Sequence, residues 1–265
     1  MTRLQGKVVW VTGASSGIGE ALVHALAGEG CQVALSARRD GELARVARDV
    51  GEAVSTLVAP MDVTDDTSRK TAHAKVMKHF GRVDVLINNA GVSQRGRAVD
   101  TSVEVLRRLM EVDFFGPVEL TRLVLPEMLE RKSGHVVVVT SLLGVFGTPW
   151  RSGYAAAKHA MHGWSESLRA EVADQGVNVT VACPGFVRTG ISAHALTPDG
   201  SPLGKSDRDP QSGITPEACA RGILKAIRRN AVEVYVARAP EKLAGFVKRA
   251  SPATFARLIR RVRVT

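Results

Sequence analysis

The sequence predicts an α/β fold, a doubly wound sheet of about seven parallel strands flanked by helices. Three observations carry that reading. Short, β-branched apolar runs alternate along the chain with segments of helical period. A glycine-rich turn, Gly13-Ala14-Ser15-Ser16-Gly17-Ile18-Gly19, separates the first apolar run from the first helical segment. No repeat, composition shift or linker divides the 265 residues, a length that suits one domain with a sizeable core.

Residues 7–12 (KVVWVT) lie between Gly6 and Gly13 and read as a buried strand. Helical spacing follows the glycine turn over 20–29. Glycines there let the backbone approach a pyrophosphate, and the open N–H groups of a helix start face the anion. Gly13, Ser15, Ser16, Gly17, Ile18 and Gly19 are therefore candidate cofactor-binding residues. The second strand, 32–37 (QVALSA), runs into Arg38 and Arg39. In dinucleotide folds this strand end meets the adenosine ribose, where an acid binds the free hydroxyls of NAD and arginine accommodates a 2′-phosphate. Ala37 stands where an acid would, so Arg38 and Arg39 favour NADP(H) over NAD(H). The alternative is a solvated helix entrance neutralised by Asp40 and Glu42.

A third strand spans 55–60, and a helix over 65–80 covers the sheet. The fourth strand, 83–87, ends in Asn88-Asn89-Ala90-Gly91. The two asparagines suit a bend that must satisfy its own backbone, leaving Ala90 and Gly91 to lie against a flat cofactor. Residues 103–131 read as one long amphipathic helix, kinked at Gly116-Pro117, with Asp113 just before the kink. The fifth strand, 135–140, delivers Ser141 to the end of the sheet. A Gly/Pro loop then leads into a helix over 152–173, with Trp164, Leu168 and Val172 as a buried stripe. The sixth strand, 177–183, is closed by Pro184-Gly185. The irregular stretch 188–213 reads as a substrate lid at the carboxyl edge of the sheet. A helix over 214–229 has Thr215 as cap and Pro216 in its first turn, and a seventh strand spans 232–237.

Composition narrows the classes. Apolar residues make up 45% of the chain and charged ones 23%, as in a soluble globular protein. Cys31, Cys183 and Cys219 are far apart, odd in number and form no C-x-x-C, which points to a reducing, cytoplasmic setting and away from zinc. His159 and His162 lack the glutamate of an H-E-x-x-H pattern, so no metal is expected. The N-terminus enters a strand almost at once, so neither a signal peptide nor a spanning segment is expected. The net charge of +10 raises nucleic acid as a partner, but no aromatic-plus-basic motif or Cys/His finger supports it.

The chemistry centres on Ser141, Tyr154 and Lys158. Tyr154 and Lys158 are four residues apart and share one helix face. A cation at close range lowers a phenol's pKa by roughly 1–3 units from a free value near 10. That makes Tyr154 a candidate general acid/base, with the Ser141 hydroxyl brought to the same point. Taken alone, the Tyr/Lys spacing also occurs on ordinary helices.

Together these residues resemble the short-chain dehydrogenase/reductase family, single-domain branch with a Rossmann-type sheet, over nearly the whole chain. The resemblance rests on Thr12 to Gly19, Asn88-Asn89-Ala90-Gly91, Ser141, Tyr154-x-x-x-Lys158 and Pro184-Gly185, in that order and spacing. The stretches FFGPVELT and SLLGVFGTPWRSGYAAAKHA look most like the dehydrogenase/reductase member-7-type subgroup. The resemblance implies hydride transfer between NADP(H) and a carbonyl or secondary alcohol. Tyr154 would give the proton, Ser141 would hold the oxygen, and Lys158 would bind the nicotinamide ribose and depress the pKa of Tyr154. It also implies that Asp62 and Val63 meet the adenine, that Asn89, Ala90 and Gly91 line the cofactor path, and that Val187 and Thr189, after Pro184 and Gly185, meet the carboxamide. Family members commonly pair two long helices into dimers or tetramers. One departure stands out: Asp113 occupies the position of the family's asparagine, which helps hold a proton-relaying water. A carboxylate only accepts hydrogen bonds, so the relay rather than the hydride chemistry is affected. The competing reading is a catalytically silent NADP(H)-binding sensor or scaffold on the same fold, which would need none of these three side chains.

Leu143, Trp150, Phe186 and Ile191, with Val145 and Phe146, are candidates to wall an apolar substrate pocket. The Rossmann-type unit is expected over 1–239, with a basic extension over 240–265. From Arg238 onward eight basic residues face one acid, Glu241. Phe255, Leu258, Ile259 and Val262 form an apolar helical stripe, and Arg257, Arg260, Arg261 and Arg263 lie mostly off it. Such a helix can pack on the body, contact another subunit or rest peripherally on an anionic membrane surface.

Overall fold

The structure, a computed structural model, describes residues 3–51, 54–205 and 213–260. The apolar runs become seven parallel strands in one sheet, ordered β3-β2-β1-β4-β5-β6-β7. They are β1 (Val8–Thr12), β2 (Gln32–Ser36), β3 (Thr56–Val58), β4 (Val85–Asn88), β5 (Gly134–Val139), β6 (Val177–Pro184) and β7 (Glu233–Val236). The central strands are buried on both faces, so their sequences are continuously apolar rather than alternating. The edge strand β3 is shorter than its run in the sequence, and only half-buried.

Helices cover both faces. On one lie α1 (Gly17–Gly28), α2 (Asp40–Val50) and α7 (Pro216–Arg228), whose Leu22, Leu26, Leu43, Val46, Ile223 and Ile227 close over Val9, Val33 and Val137. On the other lie α3 (Asp66–Phe80), α4 (Val103–Met110), α5 (Gly116–Glu130) and α6 (Ser152–Glu171). Here Trp10, Val76, Leu120, Met128, Met161 and Leu168 form the core. The Trp10 indole is satisfied inside it, donating to Ser36 Oγ at 2.8 Å. In the stripe on α6, Leu168 and Val172 are buried and Trp164 is half-buried.

The single helix expected over 103–131 is α4 and α5 joined by a π-helical turn, Glu111–Phe115. Pro117 explains it. Its nitrogen carries no hydrogen, and its ring would clash with the carbonyl one turn earlier in a regular helix. The wider turn makes room, and the Gly116 N–H donates to the Glu111 carbonyl instead. The expected kink is therefore a bulge one step upstream, and it carries Asp113 into the interior.

Beyond β7 the chain forms α8 (Ala239–Ala250) and α9 (Pro252–Ile259), which fold back onto the body. Glu241 accepts from the Phe186 N–H at 3.0 Å, and Arg249 pairs with Glu233 at 2.8 Å. Phe255 packs on Phe146 with ring centroids 5.0 Å apart. The expected tail stripe is corrected accordingly: Phe255 points in and Ile259 is half-buried, but Leu258 faces solvent. Val262, Arg261 and Arg263 lie outside the described residues, as do 206–212 of the expected lid. The described part of that lid is tied down, Leu196 pairing with the 93–96 segment and with Pro202. No helix among the described residues is long and apolar enough to cross a membrane.

Candidate active site

Strand order reverses at β1, which lies between β2 and β4, and open α/β sheets bind ligands at such a switch point. The loops after β1 and β4 meet there. Thr12 Oγ1 accepts from the N–H groups of Asn89 and Ala90 at 3.0 Å each, and the Asn89 amide donates to the Thr12 carbonyl at 2.9 Å. The Asn88 amide donates to Thr121 Oγ1 at 2.9 Å. The Asn89 side chain therefore serves the bend, whereas Asn88, expected to do the same, ties the end of β4 to α5.

Gly13 and Gly17 take φ of +65° and +60°, the left-handed region that suits glycine. A Cβ on Gly17 would fall 3.0 Å from Thr189 Cγ2, so Thr189 stands against the phosphate loop. Ser16 is the N-cap of α1 but makes no side-chain capping bond, which leaves the first-turn N–H groups open to an anion. Arg39 Nη2 donates to Ser15 Oγ and Ser16 Oγ at 3.0 Å each. Burial works against the ionised form of Asp62, yet bonds from the Thr64 N–H and hydroxyl, with Arg38 and Arg108 nearby, hold its carboxyl below the ordinary value. An open helix start, a glycine cradle and paired arginines fit a dinucleotide.

Ser141 follows β5 in extended backbone, accepts from the Leu143 N–H at 3.1 Å and hydrogen-bonds the Tyr154 phenol. One turn along α6, the Lys158 ammonium lies 5.7 Å from the Tyr154 ring centroid. Lys158 Nζ donates to the Val139 carbonyl at 3.3 Å and pairs with Asp113 Oδ1 at 3.0 Å. The Val92 N–H approaches both Asp113 oxygens, at 3.3 and 3.4 Å. Gly91 makes room for the pair, since a Cβ there would sit 2.6 Å from Asp113 Oδ1. The structure thus brings all four expected catalytic residues together, Asp113, Tyr154 and Lys158 buried and Ser141 half-buried.

The electrostatics correct one expectation. Lys158 does pull the Tyr154 phenol down, but burial and the Asp113 charge push it up, and the net direction is upward. Burial disfavours charged Lys158, yet Asp113 and Tyr154 outweigh that and raise its pKa. Burial raises the Asp113 carboxyl against the pull of Lys158. The spacing of Tyr154 and Lys158 could not reveal this, because the compensating carboxylate comes from another helix.

The short chain dehydrogenase family model matches residues 7–199. A "Dehydrogenase/reductase SDR family protein 7-like" from Anopheles gambiae is 42% identical over 258 residues, 95% of this chain and 81% of that protein. The chain belongs to the short-chain dehydrogenase/reductase family. Its naming relatives place it with the member-7-type subgroup, as a human "Dehydrogenase/reductase SDR family member 7" at 41% identity also indicates. A short-chain dehydrogenase/reductase from Burkholderia phymatum in complex with NAD superposes with a TM-score of 0.85 over 96% of both chains, at 24% identity. An alcohol dehydrogenase from Thermococcus sibiricus complexed with 5-hydroxy-NADP gives 0.75 at 26% identity, over 89% of this chain and 97% of that one.

Around the phenol of this dehydrogenase/reductase, Leu142, Leu143, Phe146, Leu196 and Phe255 form an apolar cluster. Phe186 is half-buried, whereas Trp150 and Ile191 are 45% and 38% exposed. Val63 and Val187 are buried. Pro184 closes β6, and a Cβ on Gly185 would fall 2.4 Å from Glu241 Oε2. Phe255 went unread as a wall of this region, because its place depends on the return of α9. Gln94 was also missed. Its carbonyl bonds the first turn of α6, and the sequence carries no trace of this, because Ser152 at that helix start reads as a cap of its own.

Proposed function

We propose that the enzyme is an NADP(H)-dependent carbonyl reductase or alcohol dehydrogenase acting on an apolar substrate. The observation that carries this is the meeting of half-buried Ser141 with buried Tyr154 and Lys158 at the carboxyl edge of the sheet. The nicotinamide, when bound, supplies or accepts the hydride. In reduction, the Ser141 hydroxyl donates to the substrate carbonyl oxygen and Tyr154 delivers its proton there, leaving an alcohol and a phenolate. The Tyr154 phenol is the proton donor, and the Lys158 ammonium beside it offsets part of the upward push of burial and Asp113. Lys158 stabilises the phenolate as it forms.

Arg39 on the two loop serines, Arg38 exposed beside it and the absence of an acid at the end of β2 support NADP(H). The cluster of Leu143, Phe146 and Phe255 favours a lipid-like, steroid, retinoid or aromatic carbonyl over a small sugar. A cytoplasmic setting fits three free cysteines, all buried. Family membership supports self-association into a dimer or tetramer. The test is oxidation of NADPH and NADH against ketones, aldehydes, quinones and acyl-thioester ketones, with Tyr154→Phe alongside. Turnover lost in Tyr154→Phe supports the reading; no turnover with any of the panel, beside retained NADPH binding, turns the choice to a cofactor-sensing scaffold.

A further inference from the structure

The N-cap of α6, Arg151, makes no side-chain capping bond. A helix start leaves N–H groups without partners, and here they belong to the turn that carries Tyr154. The acceptor comes from another part of the chain. Gln94 Oε1 accepts from the Gly153 N–H at 2.8 Å and approaches the Tyr154 N–H at 3.3 Å. The other end of the same amide donates to Thr101 Oγ1 at 2.8 Å, and that hydroxyl donates to the Arg97 carbonyl at 2.8 Å. Thr101 thus fixes which way the amide faces, because its proton is already committed elsewhere. Gln94 is fully buried.

The backbone around Gln94 is held from two sides. The Leu196 N–H donates to the Ser93 carbonyl and the Arg95 N–H to the Leu196 carbonyl, both at 2.8 Å. The Gly96 N–H donates to the Trp150 carbonyl at 3.0 Å. Trp150 has φ of +67°, an unfavourable conformation for a bulky side chain, and it persists where surrounding bonds hold it. Residues 93–96 therefore tie the described part of the lid to the loop that enters α6. The first turn is also wedged from behind, since a Cβ on Gly153 would fall 2.6 Å from Leu106 Cδ2.

We propose that Gln94 is a positioning residue, capping α6 from the loop after β4 and so fixing Tyr154 against Ser141 and Lys158. This rests on the acid/base reading of Tyr154. The chain has two tyrosines, so Tyr235→Phe leaves Tyr154 as the single phenol, whose ionisation is read directly by ultraviolet difference absorbance without any substrate. In that background, Gln94→Met keeps the side-chain length but removes the acceptor. The freed turn admits water to the phenol, so its titration falls toward the ordinary value near 10. With the quinone reduced fastest in the panel as probe, kcat falls about tenfold or more, the scale of a slightly misplaced catalytic group, while NADPH affinity is held. Gln94→Glu retains the acceptor, restores kcat and, by adding negative charge at that turn, keeps the titration raised.

An unchanged titration and kcat in folded Gln94→Met overturns the positioning role. Should Gln94→Met not fold, Thr101→Val decides, because it removes the bond that orients the Gln94 amide: a lowered titration and kcat support the positioning role, and both unchanged overturn it. Turnover retained in Tyr154→Phe overturns the acid/base reading instead, and the phenol titration alone then judges Gln94.

Discussion

Tyr154 sits between opposite charges, and its chemistry depends on which prevails. Lys158 favours the phenolate; burial and Asp113 favour the phenol, and they win. Asp113→Asn removes one of the two upward influences, so the Tyr154 titration is expected to move down. The alkaline limit of carbonyl reduction should move down with it, because reduction needs the protonated phenol and is lost as pH rises through its pKa. Turnover at neutral pH is expected to be kept or improved, since asparagine still accepts from Val92. Asp113→Leu differs, stranding the Lys158 ammonium in the interior at a cost of about 3–5 kcal/mol in urea unfolding. A collapse of rate in folded Asp113→Asn would show that the carboxylate has a role of its own.

At the scale of elements, much of the site is built from strand ends. Ser141 follows β5, the cofactor cradle lies between β1 and α1, and the asparagine bend follows β4. This is a consequence of parallel strands, which put all their carboxyl ends on one edge. The π turn between α4 and α5 shows how a single proline reshapes a site: Pro117 forces the wider turn, and the turn buries Asp113 beside Lys158. In the proposed NADP(H) reading, Arg38 at the end of β2 meets the 2′-phosphate. Arg38→Asp is expected to weaken NADPH far more than NADH, because it places a carboxylate against the 2′-phosphate. Titration of both cofactors checks this, and an unchanged ratio would remove the assignment.

Over the whole molecule, positive charge concentrates towards the C-terminal end of the sequence, where eight basic residues follow Val236, among them Lys242, Lys248 and Arg249 on α8 and Arg257 on α9. Leu243 and Phe246 share an exposed face of α8, and Leu258 is exposed on α9. Lys242, Lys248, Arg257 and Arg260 flank them in sequence, a combination that suits an anionic lipid surface. Replacing Leu243, Phe246 and Leu258 together with serine is expected to abolish sedimentation with anionic liposomes while leaving the fold intact. Equal sedimentation by both forms would remove the membrane contact. Truncation at 240 is a poorer test, because Glu241 and Phe255 brace Phe186 and Phe146. Much of the molecule was legible in the sequence by itself. Strand runs and their alternation with helices fixed the parallel sheet, since strands buried on both faces must be continuously apolar. The glycine loop, Ser141, Tyr154 and Lys158 were legible because they depend on local geometry at strand ends and along one helix. Only the tertiary structure decided the direction of the Tyr154 shift, the cap from Gln94 and the inward turn of Phe255. Each of these joins segments distant in the chain, and charge, hydrogen bonds and packing act through space, where spacing along a sequence carries no signal.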